Sequence, residues 1–349
     1  MRVLQVDSGR EWRGGQNQVR LLCRELVGRG GEVEQILVTR RDSELARRAV
    51  ADGTVVQDAT WEMGLDPRAW WHLRRTIAAF QPDVIHAHDS HALTLATTVA
   101  MGRKLVATRR VDFHIGRFGA WRRPDRIIAI SEAVKRVLVA DRIAPDAITV
   151  VGDGIDPDEV RRAAAQPFDI RSQLGLPAAA RLAVNAAALV GHKDQRTLIR
   201  AAQYARSWGG GGGGTDLHWV IAGEGRLREE LTAEIARFEL GDRVHLVGHI
   251  DAIDALIGQA DVFVMTSKEE GLGSVILNAL ALGRPVVATA GGGIPEILPP
   301  DALVPVGDAD ALARKVVAAL EQPAPVPLPP RFTARAMADG VLAVYRALV

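Results

Sequence analysis

Cysteine is almost absent: Cys23 is the single one in 349 residues, which excludes an internal disulfide and suits a reducing compartment. Net charge is nearly absent too. The 43 Lys and Arg residues set against 42 Asp and Glu leave +1, so no global field favours nucleic acid, and an anionic partner must be met by local basic groups. Residues 1–7 lack the long apolar core of a secretory signal, and no run of about 18 apolar residues is free of charge. These absences lead to the expectation of a cytoplasmic protein, with membrane contact limited to a peripheral one on the inner face. The full Gly-x-Gly-x-x-Gly fingerprint is missing as well, which disfavours a nicotinamide dehydrogenase. His86, His88, Asp89 and His91 crowd into one segment, yet their spacing fits no zinc signature and no cysteine assists. Neither a metal nor a cofactor is expected.

What is present is alternation. The length suggests two domains, and in both halves apolar runs that read as buried strands trade places with helical spacing. The runs at 3–6, 33–38, 105–108, 182–186, 217–222 and 262–265 are of the first kind. Val19, Leu22 and Leu26, ending at the Gly30-Gly31 pair, are of the second, as are Trp70, Leu73, Ile77 and Phe80 in a helix over 67–80. Ser131 reads as an N-cap. The glycine run 209–214 reads as a flexible surface loop, since no helix begins at its end. A proline-rich stretch, 323–330, breaks the chain before a last helix over 332–348.

The strongest motif follows the strand 262–265. Glu270 precedes a turn carrying Gly271, Leu272 and Gly273, a helix with Asn278 on it comes next, and a short strand then leads to Gly291-Gly292-Gly293, read as the start of another helix. Glycines at such joints let the backbone turn sharply and aim N–H groups at the helix N-terminus, where an anion is favoured. Phosphate fits the turn, and the Glu270 carboxylate beside it fits neutral sugar hydroxyls. Gly14-Gly15 repeats the design at the first helix, and Gly223-Glu224-Gly225 at a later one. Lys193 opens a helix, a position that suits a cation only when an anion joins it. Arg109 and Arg110 follow the strand 105–108, and the basic, aromatic loop 117–123, with Trp121, Arg122 and Arg123, suits an anionic lipid surface or acceptor, or simply water.

Taken together these segments resemble the family 4 (group 1) retaining glycosyltransferases, over nearly the whole chain. The resemblance implies the GT-B fold, two doubly wound Rossmann-like α/β domains facing across a cleft. An acceptor-side domain would span 1–165, with the helix 332–349 packing back on it, and a donor-binding domain 166–331. It implies a metal-independent transferase moving a hexose-like sugar from a nucleoside-diphosphate sugar to a cell-envelope glycan or lipid acceptor. His88 and Glu270 would touch the transferred sugar, and Lys193 the diphosphate. Gly14, Gly15, Gly223, Glu224, Gly225, Gly271, Leu272, Gly273 and Asn278 would complete the donor site. Three departures stand out: Asn278 replaces the second glutamate, which holds the ribose in the family; Ala188 replaces the diphosphate arginine; and Ser90 replaces a proline. Arg109 or Arg110 would then supply the missing cation, or else the diphosphate would be held more weakly. An epimerase of the same architecture, or a non-catalytic sugar-nucleotide binding protein, are the alternative readings.

Overall fold

The computed structural model describes residues 1–62, 65–116, 118–208 and 216–349; the glycine run 209–214 and Arg117 of the basic loop lie outside them. The chain divides into two compact units, one made of Met1–Asp156 with Pro330–Val349 and the other of Pro157–Pro329.

The first unit is built from β1 (Arg2–Val6), α1 (Gly14–Val27), β2 (Glu34–Arg40), α2 (Glu44–Ala51), β3 (Val56–Ala59), α3 (Pro67–Phe80), β4 (Val84–Ala87), α4 (Ser90–Val99), β5 (Lys104–Arg109), β6 (Arg126–Ala129), α5 (Glu132–Ala140) and β7 (Ile148–Val150). All its strand pairs are parallel, in the order β3-β2-β1-β4-β5-β6-β7. Strands covered on both faces need apolar side chains throughout, and Val3, Leu4, Val6, Val84 and Ile85 are all fully buried. Local chemistry sets the helix ends. Asp66 caps α3 with Pro67 in its first turn, and Ser131 Oγ accepts from Val134 N at the start of α5 at 3.0 Å. Helix α1 stops at Val27, with Gly28 as its cap, three residues short of the expected glycine pair at 30–31.

The second unit contains α6 (Pro157–Ala164), α7 (Ile170–Gln173), β8 (Arg181–Ala186), α8 (Gln195–Trp208), β9 (Leu217–Ala222), α9 (Arg228–Arg237), β10 (Val244–Gly248), α10 (Ile253–Gly258), β11 (Val262–Met265), α11 (Ser274–Ala281), β12 (Val286–Thr289), β13 (Leu303–Val304) and α12 (Ala309–Glu321). Its sheet is again parallel, in the order β10-β9-β8-β11-β12-β13. It begins at Pro157 and not near 166, because α6 packs against α10 and α11. The segment after Gly293 is a three-residue 3-10 turn, Ile294–Glu296, and not the expected second glycine-led helix; Pro295, and Pro299-Pro300 soon after, deny a longer helix its N–H donors.

The chain returns to the first unit through α13 (Ala334–Arg346), capped by Thr333. Met337, Val341, Leu342 and Tyr345 pack with Leu21, Leu22 and Leu26 of α1. The crossing is tight: Ala334 N donates to Ile155 O at 2.7 Å, and a Cβ on Gly154 would lie 2.4 Å from Thr333 O.

Candidate functional site

In an open parallel sheet, ligands gather beyond the C-terminal strand ends where the strand order reverses. In the second unit that point lies between β8 and β11. After β8 the chain makes a 3-10 turn, Gly191–Lys193, and passes through Asp194 at φ 48°. After β11 it runs from Thr266 to Gly273. The two loops are tied together. Lys268 N donates to His192 O at 2.8 Å and Thr266 Oγ1 to Lys193 O at 2.9 Å. The Lys193 ammonium donates to the Glu270 carboxylate, their side chains only 18% and 14% exposed. Ser267 Oγ also donates to Glu270, at 3.2 Å. Two of the residues expected to act on the donor, 77 positions apart, are thus one charge-assisted pair.

Gly273 sits at φ 89° as the N-cap of α11, which has no capping side chain from Gly273 and no acid in its first turn, so the positive end of the helix favours an anion. Leu272 beside it is buried. Other glycines serve close packing of one loop on the next. A Cβ on Gly291 or Gly292 would lie 2.1 Å from the carbonyl of Ser267 or Glu270, and one on Gly223 or Gly225 would lie 2.0 or 2.4 Å from that of Ala187 or Leu189. Glu224 turns to Arg228, at 3.0 Å.

Asn278 faces the neighbouring helix. Its Nδ2 donates to Asp254 Oδ1 of α10 at 2.6 Å, and burial, with Glu159 nearby, pushes the Asp254 carboxyl up from its ordinary range. The expected ribose contact therefore starts from a side chain already paired with a carboxylate that the sequence pattern did not single out. At the other departure, Ala188 O accepts from Gln195 Nε2 at 3.0 Å.

In the first unit the order reverses between β1 and β4, and there the two histidines separate in role. His86 is fully buried, its Nδ1 2.6 Å from the Tyr345 hydroxyl and its Nε2 2.7 Å from Thr108 Oγ1. His88 Nε2 lies 2.8 Å from Gln5 Oε1, so Nε2 carries the hydrogen and Nδ1 keeps its lone pair, without a partner among the described residues. Burial holds both imidazoles well below their ordinary pKa, hence neutral. Asp89 caps α4, and Ser90 takes the first helical position, where proline is equally at home. Asp7, at the end of β1, is buried; desolvation and the neighbouring Asp89 push its carboxyl up to about 7. Gly14 has nothing within 4 Å of a built Cβ and Gly15 only Arg110 Cδ at 3.8 Å, so backbone there is open to approach.

The arginines are partly committed within this unit. Arg110 donates to His88 O at 3.3 Å and faces Asp153 at 3.4 Å. Arg109, expected to supply a diphosphate cation, donates to Phe113 O at 2.6 Å and stacks on the Trp121 ring at 5.0 Å. The expected lipid-facing trio is likewise turned inward in part: Trp121 Nε1 reaches Ser90 Oγ at 3.4 Å and Arg122 donates to Asp141 O and Arg142 O. Phe118, at 87%, Gly119 and Arg123 are exposed among the described residues of this loop. Among the described residues no helix is long and apolar enough to cross a membrane, and no three His, Cys, Asp or Glu side chains are grouped as metal ligands.

Residues 168–338 match the family model described as glycosyl transferases group 1, and residues 12–159 match that of glycosyltransferase family 4. The 2-deoxystreptamine glucosyltransferase of Streptomyces kanamyceticus is 29% identical over 76% of this chain and 69% of its own. The 2-deoxystreptamine N-acetyl-D-glucosaminyltransferase of Streptomyces fradiae is 29% identical over 86% and 81%. Among solved structures, Anabaena Alr3699/HepE in complex with UDP-glucose superposes with a TM-score of 0.76 over 100% of this chain and 98% of its own, at 20% identity, a likeness of GT-B fold.

Proposed function

The chain belongs to the group 1, family 4 glycosyltransferases, and from that membership we propose that it moves a hexose-like sugar, with retention, from a nucleoside-diphosphate sugar to a glycan or lipid-linked acceptor of the cell envelope. The observation that carries the reading is the Lys193–Glu270 pair, set between β8 and β11 beside the uncapped start of α11. A diphosphate arriving there would take over the Lys193 ammonium and the α11 amides, and the freed Glu270 carboxylate would accept from hydroxyls of the sugar.

In the proposed reaction the bond from the sugar's anomeric carbon to the diphosphate oxygen breaks while the acceptor oxygen bonds the same carbon on the same face. The acceptor's proton passes to the departing phosphate oxygen. Lys193 and the α11 amides stabilise the charge growing on that leaving group. His88, neutral and with Nδ1 without a partner among the described residues, is suited to accept from a hydroxyl and ill suited to take a proton as a strong base. UDP-sugars are the first donors to try, given the ligand of the Anabaena structure. The 2-deoxystreptamine acceptors named for the two Streptomyces relatives define the competing acceptor class.

Incubation with UDP-, GDP- and dTDP-hexoses and acceptor extracts, with proton NMR of the product, tests this. An α-linked product from an α-linked donor is expected. An inverted linkage would overturn the mechanism, and a rearranged sugar nucleotide from donor alone would overturn the transferase reading.

A further inference from the structure

Beside the β1–β4 reversal the first unit holds a cavity of about 460 Å³, whose lining includes Arg10, Arg13, Arg40, Trp61, Glu62 and His91. Its carboxylates are already engaged. Asp89 accepts from Ser8 N and Oγ, at 2.6 Å each, and from His91 N and Ala92 N, at 2.9 Å each. Glu62 pairs with Arg68 at 3.1 Å, and Glu11, also in the lining, bonds the Arg13 guanidinium. Arg10 and Arg40 are left over. Neither side chain has a hydrogen-bond or ion-pair partner among the described residues, and Arg40 Nε is buried without one. They stand close enough that Arg10, adding to burial, weakens the hold of Arg40 on its proton; Asp66 and Glu62, which act the other way, are both held by Arg68. Helix α1 begins at the same place, with Arg13 as an N-cap whose side chain makes no capping bond to the helix and with no acid in the first turn. Two guanidiniums, one with a buried unsatisfied N–H, and the positive end of a fourteen-residue helix therefore converge on one space walled on one side by the buried Trp61. A cationic guest would be repelled and a neutral one could accept a hydrogen bond but would leave the positive charge uncompensated; an oxyanion answers both donors and charge.

We propose that this cavity is an acceptor subsite for an oxyanion, a phosphate or carboxylate carried by the acceptor, gripped by Arg10 and Arg40 against the start of α1. The inference rests on the glycosyltransferase reading and narrows it: a polycationic aminocyclitol is the wrong guest for this space, whatever the relatives accept.

The test uses the full chain saturated with UDP, so that the donor site is filled, and calorimetric titration with inorganic phosphate, D-glucuronate and methyl glucoside. Phosphate or glucuronate should bind and methyl glucoside should not; preference for phosphate assigns a phosphorylated acceptor, preference for glucuronate an acidic sugar. Arg10→Gln and Arg40→Gln should each weaken the anion tenfold or more, and Arg40→Lys should restore part of the loss, while UDP affinity stays as in the unmodified chain. Anion affinity unchanged in both variants, no anion binding at all, or equal binding of methyl glucoside would overturn the subsite. Absence of UDP binding would instead count against the donor reading, and the anion titrations of the same variants would still decide the subsite.

Discussion

The amide of Asn278 donates to the carboxylate of Asp254 at 2.6 Å, which joins α11 to α10 at the position where the family pattern places a second glutamate. A carboxylate at 278 would stand against another carboxylate that is already raised by burial. Asn278→Glu should therefore lose stability by roughly 1–3 kcal/mol at pH 8, the scale of a buried polar group left without its partner, and should not tighten nucleotide binding. The loss should shrink at pH 5, where one proton can be shared, and Asp254→Asn in the same chain should recover it. Urea unfolding of the two single variants and the double variant at both pH values reads this directly.

Lys193 and Glu270 hold each other in the absence of a donor. Lys193→Ala should weaken nucleoside diphosphate binding by roughly 1.5–3 kcal/mol, the worth of a charge-assisted hydrogen bond. Glu270→Gln should behave differently: it releases the ammonium, so diphosphate affinity is kept or improved, while turnover falls because the sugar loses its acceptor of hydroxyl hydrogen bonds. Calorimetry with UDP beside turnover with a UDP-sugar separates the two, and a matching loss of UDP affinity in both variants would sink the exchange of partners.

Asp7 gives the fold a pH dependence with a definite sign. Its carboxyl titrates near 4 when unfolded and, by burial beside Asp89, at about 7 when folded. The folded state therefore binds the extra proton between these values. Stability from this group is fully present below about pH 4 and is lost as the pH rises to 7, with a slope of at most ~1.4 kcal/mol per pH unit. Asp7→Asn should flatten the profile of urea midpoint against pH across 4–8 and unfold later than the unmodified chain at pH 8. A profile of unchanged steepness would remove Asp7 as its source.

Gly292 and Gly14 should answer to alanine in opposite ways. At Gly292, with φ 54° and a Cβ 2.1 Å from the Glu270 carbonyl, Ala costs about 1–3 kcal/mol in backbone strain before the clash is counted, and Glu270 is displaced with it. Turnover should fall at least tenfold together with thermal stability. At Gly14 a Cβ meets nothing, so Gly14→Ala should leave the melting temperature unchanged, and any fall in kcat/KM then reports substrate passing over that backbone.

Much of the architecture was legible in the sequence because it is written locally. Buried parallel strands need unbroken apolar runs, and the strand read at 262–265 and the helix read at 67–80 form as β11 and α3 over those residues. A cap is equally local, and Ser131 takes its place before α5. The strand, glycine turn and helix around Glu270 are contained in about twenty consecutive residues, as is the segment that sends His88 to the end of β4. Chain order alone, however, does not say which strand ends lie side by side. The reversal that sets β8 beside β11 brings Lys193 to Glu270, and the one that sets β1 beside β4 brings His88 to Gln5 and Asp89 to Ser8. Whether a glycine serves a ligand or a neighbouring backbone depended on the same juxtapositions: Gly223, Gly225, Gly291 and Gly292 are packed against carbonyls of other loops, while Gly14 stands open. The pairing of Asn278 with Asp254, the committed Arg109, and Arg10 and Arg40 without partners among the described residues carried no local signal at all. A side chain's role is fixed by the charges that reach it through space, and those come from loops that only the folded strand order assembles.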